Sequence, residues 1–170
     1  MSLFNQGLCA YQFVCKQLEV IGMWLPQLLL RLVLAWEFGE AGFEKLHGTN
    51  WFADLTFPFP FNLLPPDVSW NISMFFEMVG AFALVFGLAT RFFTISLIIL
   101  TIVAIASVHW PEHWNTLADL AKGYRISDKE GDGFGNYKLP LIYLIMFLPL
   151  LFNGAGKASL DNWISKKLKA

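Results

Sequence analysis

Seventeen consecutive residues from Phe92 to Val108, "FFTISLIILTIVAIASV", carry no charge. The hydrocarbon core of a bilayer is about 30 Å thick, and an α-helix crosses it with about 20 apolar residues, or about 17 at the short end. Lipid offers the backbone no hydrogen-bond partner, so a run of this kind must be helical. Three more stretches approach the same description. "ISMFFEMVGAFALVFGLAT", Ile72 to Thr90, contains a single acid, Glu77, and "LPLIYLIMFLPLLF", Leu139 to Phe152, contains no charge. The fourth, opening near Pro26, is apolar at its start and then carries acids. A water-soluble fold would have to bury four such helices on every side, which 170 residues cannot arrange. Composition agrees: 56% of residues are hydrophobic and 15% charged, where a soluble domain has about a quarter charged. The expectation is an all-α, integral membrane four-helix transmembrane bundle, one domain over residues 1–170, with spans near 26–45, 70–90, 92–108 and 137–153.

Several classes are excluded or disfavoured. A net charge of −1 gives nucleic acid nothing to bind. Cys9 and Cys15 are too few for a disulfide framework and too far apart for a CxxC redox motif, so both read as free thiols. The opening residues lack the basic start and small-residue cleavage site of a signal peptide. They place Leu8, Tyr11, Cys15, Leu18 and Gly22 at helical spacing instead, which predicts an interfacial N-terminal helix.

Basic residues set the expected orientation. Lys16 precedes the first span, Arg91 sits in the tight turn between the second and third, and Lys157, Lys166, Lys167 and Lys169 follow the fourth. Residues 46–70 contain Asp54 and Asp67 but only His47 as a basic group. Both termini are therefore expected in the cytoplasm and both long loops outside, in a multi-pass protein of a bacterial inner (plasma) membrane. The first loop, "NWFADLTFPFPFNLLPPDVSW", mixes aromatics with prolines. It reads as a short helix and an extended, proline-stiffened stretch at the interface.

The first span raises the functional question, because "RLVLAWEFGEAGFEKL" carries Arg31, Glu37, Glu40, Glu44 and Lys45. At about 100° per residue the three acids share one face, whereas Arg31 lies opposite with Ala35, Gly39 and Gly42. Small residues let another helix approach closely, so this helix is expected at the bundle centre. Glu40 lies about 7–8 Å below the outer end, and Glu77 about 10 Å below the end marked by Trp70. His109 caps the outer half of the third span. Glu37, Glu40, Glu77 and His109, with Arg31 on the facing strip, are the candidates for an outward-facing polar pocket. Plainer readings are that Glu44 and Lys45 snorkel to the surface, that Arg31 anchors to phosphates, and that the acids bond helices together.

Met74, Glu77 and Met78 share one helical face. Thioethers suit Cu(I), and His109 could add a nitrogen, so Met74, Met78 and His109 are candidate metal ligands; methionine at that spacing also fills cores. His109 and His113 flank Pro111, which disturbs a regular helix between them. Asp128, Glu130, Asp132 and Gly133 have the register of a calcium loop, but Leu139 stands where a bidentate glutamate is required, so a polar turn explains them.

Three stretches in order, "LLLRLVLAWEFGEAGFEKLHG", "FFEMVGAFALVFGLATRF" and "GAGKASLDNWI", resemble the DoxX family of four-helix bacterial membrane proteins from about Leu28 to Ile164. Arg31, Gly42, Lys45, Glu77, Gly80, Gly87, Arg91, Ser159 and Asp161 carry the pattern; Glu37 and Glu40 are additional. The first long loop is most similar to the HvfX-like branch, which accompanies maturation of copper-binding modified peptides. The resemblance implies a link to redox or metal stress, and other relatives are tied to quinone-linked sulfur oxidation or to maturation of redox enzymes. Two functions follow as expectations. One is an accessory protein handling a metal or modified peptide, with biosynthetic partner proteins and a homo-oligomeric state open. The other is a membrane oxidoreductase subunit whose pocket holds a quinone. Copper and quinone are the two ligands in view.

Overall fold

A computed structural model describes residues 3–128 and 132–169, without the side chains of residues 3–6 and of Cys9. Helices α1 (Leu3–Gly22), α2 (Leu25–His47), α3 (Pro66–Phe86), α4 (Thr90–Ala104), α5 (Leu117–Lys122), α6 (Lys138–Asn153) and α7 (Leu160–Lys167) carry the fold, and no strand occurs among the described residues. The architecture is an all-helical bundle of membrane type. Helix α3 is long and apolar enough to cross a bilayer, as is α4 together with its continuation to His109. Ala10–Gly22 and α2 pass the same test as a pair bent by 41°. Helix α6, with 16 residues, is shorter, about 24 Å at 1.5 Å per residue. Cys15 is a free thiol, and Cys9 and Glu130 lie outside what is described.

Local chemistry sets the boundaries. Pro66 opens α3 at a position where the missing N–H costs nothing. Gly87 closes it in the left-handed region at φ +64°, and the guanidinium of Arg31 leaves no room there for a Cβ. The turn to α4 is only three residues long, so α3 and α4 are antiparallel neighbours. At the far end α4 widens into a single π-helical turn, Ile105–His109.

Helices α2 and α3 form the tightest pair, as the small-residue strip leads one to expect. A Cβ on Gly39 would stand 3.4 Å from the Ala81 Cβ, and one on Gly42 would stand 2.7 Å from Met78 Cγ. Leu34, Phe38, Leu84, Leu97, Phe147 and Leu150 fill the centre, with contributions from α2, α3, α4 and α6. Phe38 stacks obliquely on Phe147, with ring centroids 5.4 Å apart.

Candidate functional site

The polar residues of the bundle fall into two groups at opposite ends. At the end where α2 finishes and α3 begins, a cavity of about 560 Å³ opens among four helices and the first loop. Spacing explains its walls. Glu37, Ala41 and Lys45 lie one turn apart along one face of α2, and Ser69, Ser73 and Glu77 do the same on α3. The π turn swings Ser107, Val108 and His109 onto the third wall, and α6 supplies Pro140 and Tyr143. Trp51, Phe52, Leu55, Phe57, Phe61 and Leu64 roof the space.

This roof is the first loop, whose two short 3-10 turns, Phe52–Asp54 and Phe61–Leu63, are held over the bundle. Asn50 fastens it: its amide donates to Asp67 Oδ1 at 2.6 Å, and its Oδ1 accepts from Phe52 N at 2.9 Å. Phe52 packs edge-on against both Trp70 and Phe57, with centroids 5.0 and 5.1 Å away. The loop is folded over the acids.

Two charge-assisted pairs stand in the apolar walls. Lys45 Nζ donates to both Glu77 oxygens, at 2.9 and 2.8 Å, and the two side chains keep only 14% and 10% of their surface exposed. Lys45 therefore does not snorkel outward; it turns in and neutralises Glu77, the acid in the middle of α3. One turn of Ala41 away, the Tyr143 hydroxyl donates to Glu37 Oε2. His109 is held by Asn136, whose Oδ1 lies 2.6 Å from Nδ1 and whose N–H donates to the His109 carbonyl at 3.0 Å. With Oδ1 as acceptor, Nδ1 carries the proton and a neutral ring keeps Nε2 as an acceptor. Ser69 Oγ and Ser107 Oγ are buried and make no hydrogen bond, although both residues line the cavity. A small molecule with an apolar body and one or two oxygens would meet donors and acceptors at fixed places here.

Of the residues singled out from sequence, Glu37, Glu77 and His109 stand together on the cavity walls. Glu40 is exposed on the outside of α2. Met74 and Met78 do not line the cavity, and Met78 instead fills the space against Gly42. Among the described residues no three His, Cys, Asp or Glu side chains group as a metal site. His113 is exposed. Asp128 and Asp132 are both taken by Arg125, which also donates to the Gly135 carbonyl.

Arg31 belongs to the opposite end. It is fully buried, and its guanidinium donates to the Leu84 carbonyl at 3.3 Å and the Ala158 carbonyl at 2.5 Å. Asp161 accepts from Ala89 N and Thr90 N at 2.7 and 2.9 Å, capping α4, while its own N–H donates to Gly87. Arg91 donates to the last carbonyls of α6, Leu151 and Phe152. Arg31 and Asp161 are thus the clamp that fastens the 154–161 segment to the α3–α4 turn.

The sequence alone reads Lys45 as a snorkelling residue and a carrier of the family pattern, and it passes over Tyr143. The signal for Tyr143 existed: it carries the only side-chain polar atom between Leu139 and Phe152, and a buried phenol seeks a partner.

The DoxX family model matches residues 27–110. A Haemophilus influenzae protein described as uncharacterized is 46% identical over 154 residues, which cover 89% of this chain and 91% of that protein. No solved structure matches the chain.

Proposed function

The chain belongs to the DoxX family of membrane proteins, and on that premise we propose that it binds a quinone-class ligand, an apolar ring with hydrogen-bonding oxygens, in the roofed cavity. The observation that carries this reading is the pairing of a 560 Å³ apolar chamber with a few polar groups in its walls. Ligand sites of about 300–1,000 Å³ have that composition. Ala41, between the two pairs, is the small residue over which a ring would lie. Glu37 and Lys45 are eight residues apart, about 12 Å along the axis, so one ring cannot bridge both. The ring oxygens would take their bonds from Lys45, whose ammonium has a third proton besides the two given to Glu77, and from the serine hydroxyls.

The role is that of a small inner-membrane redox component, with both termini cytoplasmic and the cavity facing outward. The basic residues Arg31, Arg91, Lys157 and Lys166 at the far end support that orientation. Handling of copper or of a copper-binding modified peptide, the reading favoured by the HvfX-like branch, has less to rest on. Neither of its two thioethers lines the cavity, and a chamber of this size admits a side chain or ring, not a folded peptide.

Thermal unfolding of the purified protein with a short-chain ubiquinone analogue tests the proposal. A ligand at one hundred times its Kd stabilises the native state by about 2.7 kcal/mol, or roughly 5–11 °C for a chain of this size. That saturable shift should vanish in Ala41→Trp, which fills the chamber. No shift in the wild type, or the same shift in the variant, would overturn the assignment.

A further inference from the structure

Helix α7 is amphipathic in an unusual sense: its polar face is the one that docks. At about 100° per residue, Asp161, Asn162 and Ser165 share one side and Leu160, Trp163 and Ile164 the other, with Leu168 following the last turn. The polar side lines a groove against Ala89, Thr90 and Arg91 at the start of α4, and the Asp161 cap fixes it there. Ser159 adds a second tie by accepting from Asn162 N at 3.2 Å, which sets the first turn of α7. The apolar side is consequently turned away from the protein. Trp163 is 55% and Leu168 83% exposed, with Leu160 and Ile164 beside them.

Burying such a face in water-soluble surroundings would need a partner, but its position supplies one. Only six residues separate α7 from the end of α6, so the helix sits at the rim of the spans. Phe92 and Phe152, at the adjoining ends of α4 and α6, are likewise exposed and apolar, and they continue the lipid-facing belt up to the foot of α7. Charge points the same way. Lys157, Lys166, Lys167 and Lys169 are exposed around the helix, Lys167 Nζ lies 4.1 Å over the Trp163 ring, and the one acid of the segment, Asp161, is consumed in capping.

We propose that α7 is a membrane foot, lying in the headgroup layer with Trp163, Ile164 and Leu168 inserted and its lysines on the phosphates of anionic phospholipids. A tryptophan with flanking lysines is the composition of an interfacial helix, and each lysine near an anionic surface shifts such an equilibrium by roughly fivefold. Because Arg31 donates to Ala158 and Asp161 caps α4, the foot is rigidly joined to the bundle and fixes the depth at which the spans sit.

The test uses the full chain with Cys9→Ser, Cys15→Ser and Leu168→Cys, labelled with an environment-sensitive fluorophore. The protein is placed in nanodiscs of phosphatidylcholine or of an equal mixture with phosphatidylglycerol, each with and without a spin label near the lipid headgroup. Blue-shifted emission, quenched by the lipid spin label and more strongly in the anionic discs, is the expected result. Lys166→Gln, Lys167→Gln and Lys169→Gln together should remove the difference between the two lipids. Water-like emission in both discs would overturn the proposal. So would equal quenching in both, or a blue shift without lipid quenching, which would mean that protein covers the face.

Discussion

Breaking the Lys45–Glu77 pair is the perturbation whose size the structure constrains best. Both side chains are nearly withdrawn from water, at 14% and 10% exposure, and the contact is bidentate. Removing one partner of a buried pair costs about 3–5 kcal/mol, because the other charge stays behind uncompensated. Lys45→Met should fall at the lower edge, about 3 kcal/mol, since the cavity is open enough to let solvent reach the orphaned carboxylate. Glu77→Gln keeps an oxygen for the ammonium and should cost less, about 1–2 kcal/mol. Lys45→Met combined with Glu77→Leu leaves no charge to bury, so the double variant should be closer to wild type than the sum of the singles, with a coupling of about 2 kcal/mol. At roughly 2–4 °C per kcal/mol, thermal unfolding in detergent would show Lys45→Met lower by about 6–12 °C and the double variant largely restored. Strictly additive losses would refute the reasoning, because they would mean that the two groups do not meet.

Other outcomes follow from the same contacts. Arg31→Lys should be nearly as damaging as Arg31→Met, about 3 kcal/mol each by unfolding, since one ammonium cannot reproduce the fork that serves both Leu84 and Ala158. Asp161→Asn weakens the α4 cap and should cost about 1 kcal/mol, with faster amide exchange at Ala89 and Thr90. Tyr143→Phe frees Glu37 and should weaken quinone-analogue binding severalfold while leaving the helix content by circular dichroism unchanged. On the exposed loop, Lys122 and Thr116 hydrogen bonds hold the Asp119 carboxyl below its ordinary value. Its support of α5 is therefore complete above the ordinary carboxylate range and lost as pH falls beneath it, which hydrogen exchange at residues 117–122 would register.

Helix identity and much of the packing could be read from hydropathy and small-residue spacing. The charge-free run from Phe92 became α4 and its π turn, and the strip of Arg31, Ala35, Gly39 and Gly42 became the face pressed on α3. What spacing on one helix cannot reveal is who stands across from it. Lys45 near a helix end looks like a snorkelling residue until the antiparallel register of α3 brings Glu77 within 2.8 Å. Glu37 and Glu40 share a face on the wheel, yet they are 60° apart by the same arithmetic, at about 100° per residue. That difference puts Glu37 on Tyr143 and leaves Glu40 outside. The loop "FADLTFPFPF" signals aromatic surface, but its fold over the cavity depends on Asn50 reaching Asp67, a long-range contact with no sequence signature. Arg31 stands six residues from Glu37, about 9 Å down the helix, which is enough to place it in the opposite polar group.

The central claim, that a quinone-class ring occupies the roofed cavity, is tested most directly by where a photoreactive quinone analogue attaches. After illumination of the membrane-embedded protein, mass spectrometry of the peptides should locate the label on the lining, at Trp51 to Phe61, Leu100 to Val108 or Tyr143, with competition by unlabelled analogue. Label confined to the outward faces of the spans, at Phe82, Phe86 or Ile95, and not reduced by competitor would contradict it.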